Sequence, residues 1–141
     1  MLEIKNYNSS ILHEISFLLK ENENLIILGE NGAGKSTLAK VLSNLILNDK
    51  VELLGENISK ISDLKRTQLI NYIPPKLSIF DEYVTLREFL ELSFIENVNN
   101  QKIDEVIKLL NLRKLEDKYC KSFSSGEKQL LLLASAIMHN A

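Results

Sequence analysis

The feature that most constrains this chain is a glycine-rich stretch, LGENGAGKST, at Leu28–Thr37. Three of the five glycines in the 141-residue sequence lie within it. The continuous apolar run that leads into it predicts a strand buried on both faces, from Asn24 to Gly29. After it, apolar residues recur at helical spacing from Leu38 to Ile46. The sequence therefore predicts a strand, a tight loop and a helix in an α/β fold.

The same stretch matches the pattern Gly-x-x-x-x-Gly-Lys-Ser/Thr without a gap. Glycines let successive backbone N–H groups approach phosphate oxygens, and the following helix directs its positive N-terminus at the same anion. Lys35 adds a positive charge, and the Ser36 hydroxyl is a ligand for Mg²⁺. In the alternative, the glycines only make a tight turn. The predicted nucleotide-binding residues are Gly29, Glu30, Asn31, Gly32, Ala33, Gly34, Lys35, Ser36 and Thr37.

Composition narrows the class of protein. Hydrophobic residues make up 45% and charged residues 26% of the chain, as in an ordinary globular domain. The net charge is -2 and no run of Lys and Arg forms a basic stripe, so nucleic acid is not favoured as a partner. Cys120 is the only cysteine, so no internal disulfide is expected. The longest apolar stretch, Leu130 to Met138, is far shorter than a membrane span.

Periodicity predicts the other elements. Partial apolar alternation predicts two antiparallel strands joined by a polar turn, and short apolar runs predict two more strands. These four predicted strands are residues 2–7, 11–19, 51–58 and 69–73. Besides the helix at 35–46, helices are predicted at 62–66, 85–94, 103–110 and from 124 or 125 to 138. Ser124 and Glu127 fit a capping box at the start of the last helix.

A second motif indicates which family of nucleotide-binding proteins the chain resembles. The stretch FSSGEKQ, Phe123 to Gln129, opens the predicted last helix and resembles the signature motif of ABC-type ATPases. It follows the glycine loop by some ninety residues, with a predicted helical block between, and this order resembles an ABC transporter nucleotide-binding domain. The resemblance implies a P-loop NTPase-type core with an antiparallel β edge and an inserted α-helical subdomain, ending before the Walker B strand. The implied divisions are 1–75, 76–123 and 124–141.

The resemblance also implies site residues and partners. Two such domains pair head to tail, so Ser124, Ser125, Gly126 and Glu127 would contact the ATP held by the glycine loop of a second copy. Tyr7 falls where the family carries an aromatic residue that stacks on adenine. The alternatives are an ordinary capped helix start for the signature residues and a half-buried sheet tyrosine for Tyr7.

Two departures from the family pattern limit the expected activity. Pro75 stands where the family usually has a glutamine that reaches Mg²⁺ and the attacking water. The family's later strand, which ends in Asp-Glu, and its later histidine lie beyond Ala141. No catalytic residue is therefore assigned within the 141 residues. Alone, they are expected to bind ATP without hydrolysing it, and to be poorly soluble or oligomeric.

The function implied by the resemblance is that of the ATP-binding subunit of an ABC transporter. It would lie in the cytoplasm, on the inner face of the cell membrane, and act on a separate integral membrane subunit. A weaker similarity to importers of ferric siderophores, haem or cobalamin suggests the solute. Two alternatives stay open: a soluble ABC ATPase that does not transport, and a truncated nucleotide-binding protein that does not hydrolyse ATP.

Overall fold

The computed structural model describes residues 1–75, 83–94 and 97–139. The chain divides into two compact units, Met1–Tyr72 and Ile73–Ala141. The three-part division expected from the sequence stays a prediction. Within the described ranges, none of the helices combines the length and the apolar character needed to cross a membrane.

The first unit is built on a four-stranded antiparallel sheet. Its strands are β1 Leu2–Tyr7, β2 Ile15–Leu19, β3 Val51–Leu53 and β4 Glu56–Asn57, in the order β2-β1-β3-β4. The strand β1 lies in the middle, so that its residue Leu2 is opposite Leu19 on one side and Leu53 on the other. The predicted pairing of the first two strands is confirmed.

The connection between β1 and β2 is longer than the sequence predicted. The Ser9 hydroxyl accepts hydrogen bonds from the backbone N–H groups of Ile11 and Leu12, and the Ser9 N–H donates to the Leu12 carbonyl. These bonds turn the backbone at the residues that were expected to begin the second strand. As a result β2 starts at Ile15 rather than Ile11.

Two of the predicted strands are absent. Residues 24–29 and 69–73 lie outside every strand, and Ile26 and Leu28 expose 80% and 87% of their surface. An apolar run becomes a strand only when a neighbouring strand takes up its backbone hydrogen bonds. None of the four strands in the described sheet pairs with either run, which explains why both predictions are wrong.

The first unit also holds two helices, α1 Lys35–Leu42 and α2 Asp63–Leu69, and a 3₁₀ turn at Ile58–Lys60. The helix α1 ends four residues earlier than predicted because Asn44 takes a left-handed conformation, with φ 58°. The Lys40 carbonyl accepts hydrogen bonds from the N–H groups of Leu45 and Ile46, which closes the helix end. The buried core of this unit is Ile4, Tyr7, Leu12, Leu38, Val41, Val51 and Ile58.

The second unit is helical. Its helices are α3 Leu86–Glu91, α4 Asn100–Leu109 and α5 Ser125–His139, with 3₁₀ turns at Arg113–Leu115 and Cys120–Ser122. Side chains from all three helices and from the segment between α4 and α5 form one core, which comprises Leu86, Leu90, Ile103, Val106, Ile107, Leu112, Cys120, Phe123, Leu131, Ala134 and Met138. Burial raises the pKa of the Cys120 thiol, which therefore stays neutral in this core.

A charged network joins α3 to α4 and to the turn after it. Arg87 Nε donates to Glu116 Oε1 at 2.7 Å, and the same guanidinium pairs with Asp104. The hydrogen bond to Glu116 is the main cause of the raised pKa of Arg87, and Asp104 adds to it. Because a guanidinium fork can serve two carboxylates at once, one side chain holds three segments of this unit together.

Candidate nucleotide-binding site

The glycine loop lies between β2 and α1, and two of its glycines need left-handed backbone. Gly32 has φ 87° and Gly34 has φ 93°, angles that a residue with a Cβ adopts only with strain. Gly34 is also crowded, because a Cβ built there would lie 2.8 Å from Leu12 Cδ2 and 2.9 Å from Ile11 Cγ2. The Gly34 carbonyl then accepts from the Leu38 N–H at 2.8 Å, which begins α1.

Lys35 lies inside the curl of the loop. Its Nζ donates to the carbonyl oxygens of Gly29 and Glu30, both at 2.7 Å. These bonds hold the ammonium group beside the loop backbone. Because both acceptors are neutral carbonyls, a phosphate could compete for the same ammonium with a stronger charge-assisted hydrogen bond.

A cavity of about 350 Å³ opens beside the loop, within the size range of small-molecule sites. It is lined by Ile11, Asn31, Gly32, Gly34, Lys35, Ser36 and Thr37. Six of these seven residues belong to the predicted set, and the seventh, Ile11, was missed. Ile11 is 51% exposed although it is a large apolar residue, and it reaches the cavity through the turn around Ser9. The sequence around Ile11 has the pattern of a strand, so only the turn around Ser9 reveals that Ile11 borders the cavity.

The residues around the cavity fit a nucleotide phosphate with Mg²⁺. The cavity brings together the ammonium of Lys35, two hydroxyl groups and glycine backbone at the start of a helix, which are groups suited to an anion. Ser36, the residue predicted to give an oxygen ligand to Mg²⁺, lies on the wall of the cavity, and that role stays a prediction. Among the described residues, no three His, Cys, Asp or Glu side chains come together as metal ligands.

Tyr7 lies at the end of β1 and is only 9% exposed. It belongs to the buried core of the first unit, together with Ile4 and Val51. This burial supports the packing role weighed above as the alternative. Stacking on adenine stays a prediction, and it would require the Tyr7 ring to leave part of that core.

The signature residues form the first turn of α5 in the second unit. The Glu127 carboxylate accepts from the Ser124 N–H at 2.7 Å, and the Ser124 hydroxyl accepts from the Glu127 N–H at 3.3 Å. The predicted capping box is therefore present. Ser124, Ser125 and Gly126 are all exposed, so their polar groups face solvent at the N-terminus of a 15-residue helix.

Gly126 has no conformational or packing requirement within the described structure. Its φ lies outside the left-handed region, and a Cβ built on it would meet nothing within 4 Å. A glycine inside a helix costs up to about 1 kcal/mol relative to alanine. No contact in the described part of the chain requires a glycine at this position in the first turn of α5.

Pro75, which occupies the place of the family's glutamine, lies on the surface of the second unit. Its carbonyl accepts a hydrogen bond from Gln129 Nε2 at 2.6 Å. Gln129 is the last residue of FSSGEKQ and belongs to α5. The sequence predicts no role for Gln129, because a contact across 54 residues has no local sequence signal.

Most of the chain matches a known family model. Residues 12–141 match the family model described as "ABC transporter". The chain is 36% identical over 132 residues to the zinc import ATP-binding protein ZnuC of Buchnera aphidicola subsp. Baizongia pistaciae, which covers 93% of this chain and 51% of that protein. It is 31% identical over 145 residues to the lipopolysaccharide export system ATP-binding protein LptB of Haemophilus influenzae, covering 96% of this chain and 60% of that protein.

The fold agrees with a solved structure. The structure of cbiO1 from Clostridium perfringens, described as part of the ABC transporter complex cbiONQ, superposes with a TM-score of 0.78 at 21% identity. That match covers 99% of this chain and 62% of the other. The chain spans 51% and 60% of the two sequence relatives named above. On the family model and these identities, the chain belongs to the ABC transporter ATP-binding family.

Proposed function

We propose that this chain binds ATP with Mg²⁺ as part of the ATP-binding subunit of an ABC transporter. The observation that carries the proposal is the cavity of about 350 Å³ beside the glycine loop, with Lys35, Ser36 and Thr37 on its wall. The left-handed conformations of Gly32 and Gly34 give the loop the close curvature that a phosphate cradle needs.

Three parts of the loop have separate tasks in this proposal: the backbone N–H groups, Lys35 and Ser36. The backbone N–H groups and the N-terminus of α1 bind phosphate oxygens. Lys35 exchanges its two carbonyl partners for a phosphate, and Ser36 holds Mg²⁺. Bound Mg²⁺ would neutralise part of the phosphate charge. Because the adenine must lie beyond the phosphates, we propose that the exposed Ile11 side chain borders the nucleotide.

The test compares two lysine variants in the same helix. In Lys35→Ala, we expect ATP to bind about 10- to 100-fold more weakly, because a charge-assisted hydrogen bond contributes roughly 1.5–3 kcal/mol. Lys40→Ala makes the same change of charge at an exposed position of α1 and should bind ATP normally. Isothermal titration calorimetry of the purified protein gives both affinities. Equal ATP affinity in the wild-type protein and Lys35→Ala would contradict the assignment.

We further propose that a second ABC ATPase domain completes the site. The exposed first turn of α5 would present Ser124, Ser125, Gly126 and the helix N-terminus to the γ-phosphate on that copy, in a head-to-tail homodimer. Two observations support this: the solvent-facing polar groups and the glycine that nothing in the described chain requires. Glu127 would act by fixing the turn through its bond to the Ser124 N–H.

The transport partner and the solute are proposed only as classes of molecule. We propose an integral membrane subunit as the partner, with this chain on the cytoplasmic face of the membrane. The names of two relatives describe zinc import and lipopolysaccharide export, so family membership leaves the direction open. Ferric siderophores, haem and cobalamin are the solutes that we would test first, by measuring their uptake in cells with and without Lys35→Ala. No catalytic residue is assigned within residues 1–141.

A further inference from the structure

The hydrogen bond between Gln129 and Pro75 is an unusual contact for a surface side chain. Gln129 Nε2 and the Pro75 carbonyl oxygen are 2.6 Å apart, although the residues are 54 positions apart in sequence. Both residues are exposed and both belong to the second unit. Water could satisfy either group equally well, so the bond contributes little to folding. Its effect is to fix the position of α5 relative to the segment that contains Pro75.

The sequence restricts the backbone that carries the acceptor. Pro74 and Pro75 each have φ restricted by the ring, and Pro75 also biases Pro74 toward extended backbone. Because proline has no backbone N–H, the carbonyl is the only hydrogen-bonding group that Pro75 offers. The restricted φ angles of the two prolines leave this segment fewer backbone conformations to lose when the bond forms.

The donor lies on the helix that carries the signature. Gln129 follows Ser125 by four residues within α5, so the two side chains share one face of the helix. The bond to Pro75 therefore lies one helical turn behind the exposed groups proposed to meet the second ATP. The helix itself does not depend on it, because Leu131, Ala134 and Met138 anchor α5 in the core.

We infer that Gln129 is a positioning residue for the signature turn. Its side-chain amide holds the first turn of α5 against the rigid Pro74–Pro75 backbone, so that Ser125 and Gly126 are already oriented when the second copy approaches. The inference rests on the proposed ATP-dependent pairing. Pro75 stands in place of a side chain that could contact the metal. Its carbonyl oxygen instead accepts the hydrogen bond from Gln129, which gives this position a structural role.

The experiment removes the donor while keeping length, charge and helix propensity. In Gln129→Met, an unbranched side chain without a donor replaces the amide. We expect pairing driven by a non-hydrolysable ATP analogue to weaken about 2- to 10-fold, which is the value of one neutral hydrogen bond. ATP affinity of the unpaired protein and its melting temperature should not change. Sedimentation equilibrium, calorimetry and thermal unfolding measure the three quantities.

A second variant tests the hydrogen bond itself. Gln129→Lys restores an N–H donor on a side chain of sufficient reach, and we expect it to recover most of the pairing. Gln68→Lys, at an exposed position of α2, controls for the added charge. In NMR spectra of the wild-type protein, the side-chain amide of Gln129 should also exchange its hydrogens with water more slowly than an amide that makes no hydrogen bond to the protein.

The outcomes separate this inference from the proposed function. If the wild-type protein neither binds ATP nor pairs, the proposed function fails and the inference falls with it. If the wild-type protein pairs and Gln129→Met pairs equally well, only the inference is overturned. It is also overturned if both Gln129 variants lose pairing together with melting temperature, because that result indicates a purely structural role.

Discussion

At the scale of single residues, three glycines of the two motifs differ in what the structure requires of them. Gly32 has left-handed backbone in open space, and Gly34 has left-handed backbone that is also packed against Ile11 and Leu12. Gly126 has neither requirement. The sequence shows only that all three are glycines. Their conformations and neighbours show that the first two serve the loop itself, whereas the third leaves room at the surface.

Because Gly126, unlike Gly32 and Gly34, has no local requirement for glycine, we can predict the effects of Gly126→Ala. Alanine should raise the free energy of unfolding by roughly 0.5–1 kcal/mol, because it is a better helix residue and has space there. The same methyl group should weaken ATP-dependent pairing about 10- to 100-fold, because forcing it into a packed contact costs roughly 1–3 kcal/mol. Urea unfolding and sedimentation equilibrium measure the two effects. A variant that pairs like the wild-type protein would show that Gly126 does not meet a second copy.

At the scale of elements, the short helices depend on their ends. The helix α3 has only six residues, too few to be stable alone. The Thr85 hydroxyl accepts from the Glu88 N–H, and the Glu88 carboxylate accepts from the Thr85 N–H at 2.7 Å, which completes a capping box. Buried Leu86 and Leu90 supply the remaining stability. Caps and buried positions, rather than length, therefore define this element.

We expect Thr85→Ala to lower the free energy of unfolding by about 1 kcal/mol, because the N-cap hydrogen bonds are lost. Thr67→Ala is the matched control, since Thr67 is exposed inside α2 and its hydroxyl donates to the Leu64 carbonyl of the same helix. Alanine there should be neutral or slightly stabilising. The midpoint of urea unfolding reports both changes. An equal loss in the two variants would rule out a capping role for Thr85.

The elements also show where sequence reasoning works. Helices α4 and α5 lie close to their predicted ranges, and the capping box at Ser124 is present, because spacing and capping are local properties. The two missing strands, at 24–29 and 69–73, had the right composition but lack strand neighbours in the described sheet. Strand formation needs a partner from elsewhere in the chain, and no local pattern supplies that information.

At the scale of the whole molecule, the two motifs belong to separate compact units. The glycine loop is in Met1–Tyr72 and the signature turn is in Ile73–Ala141. Each motif keeps its local geometry within its own unit: the loop curls around Lys35, and the turn is closed by its capping box. Each motif is therefore already formed before any ligand binds to it.

Binding to a formed site predicts stabilisation of the whole fold. ATP at 100 times its dissociation constant should raise the free energy of unfolding by about 2.7 kcal/mol. With Mg²⁺ the same ATP concentration should stabilise further, and Ser36→Ala should lose only this additional part. Urea unfolding with ATP, in EDTA and in Mg²⁺, measures both contributions. Equal Mg²⁺-dependent stabilisation in Ser36→Ala and the wild-type protein would remove Ser36 from the metal site.

The sequence by itself determined the family, the start of α1 after the glycine loop and the start of α5. These depend on residue types at fixed short spacings, which fold the same way wherever they occur. Tertiary structure decided that Tyr7 is buried, that Ile11 borders the cavity, that residues 24–29 form no strand, and that Gln129 binds Pro75. Each of these depends on contacts between residues distant in sequence, and such contacts exist only once the chain has folded.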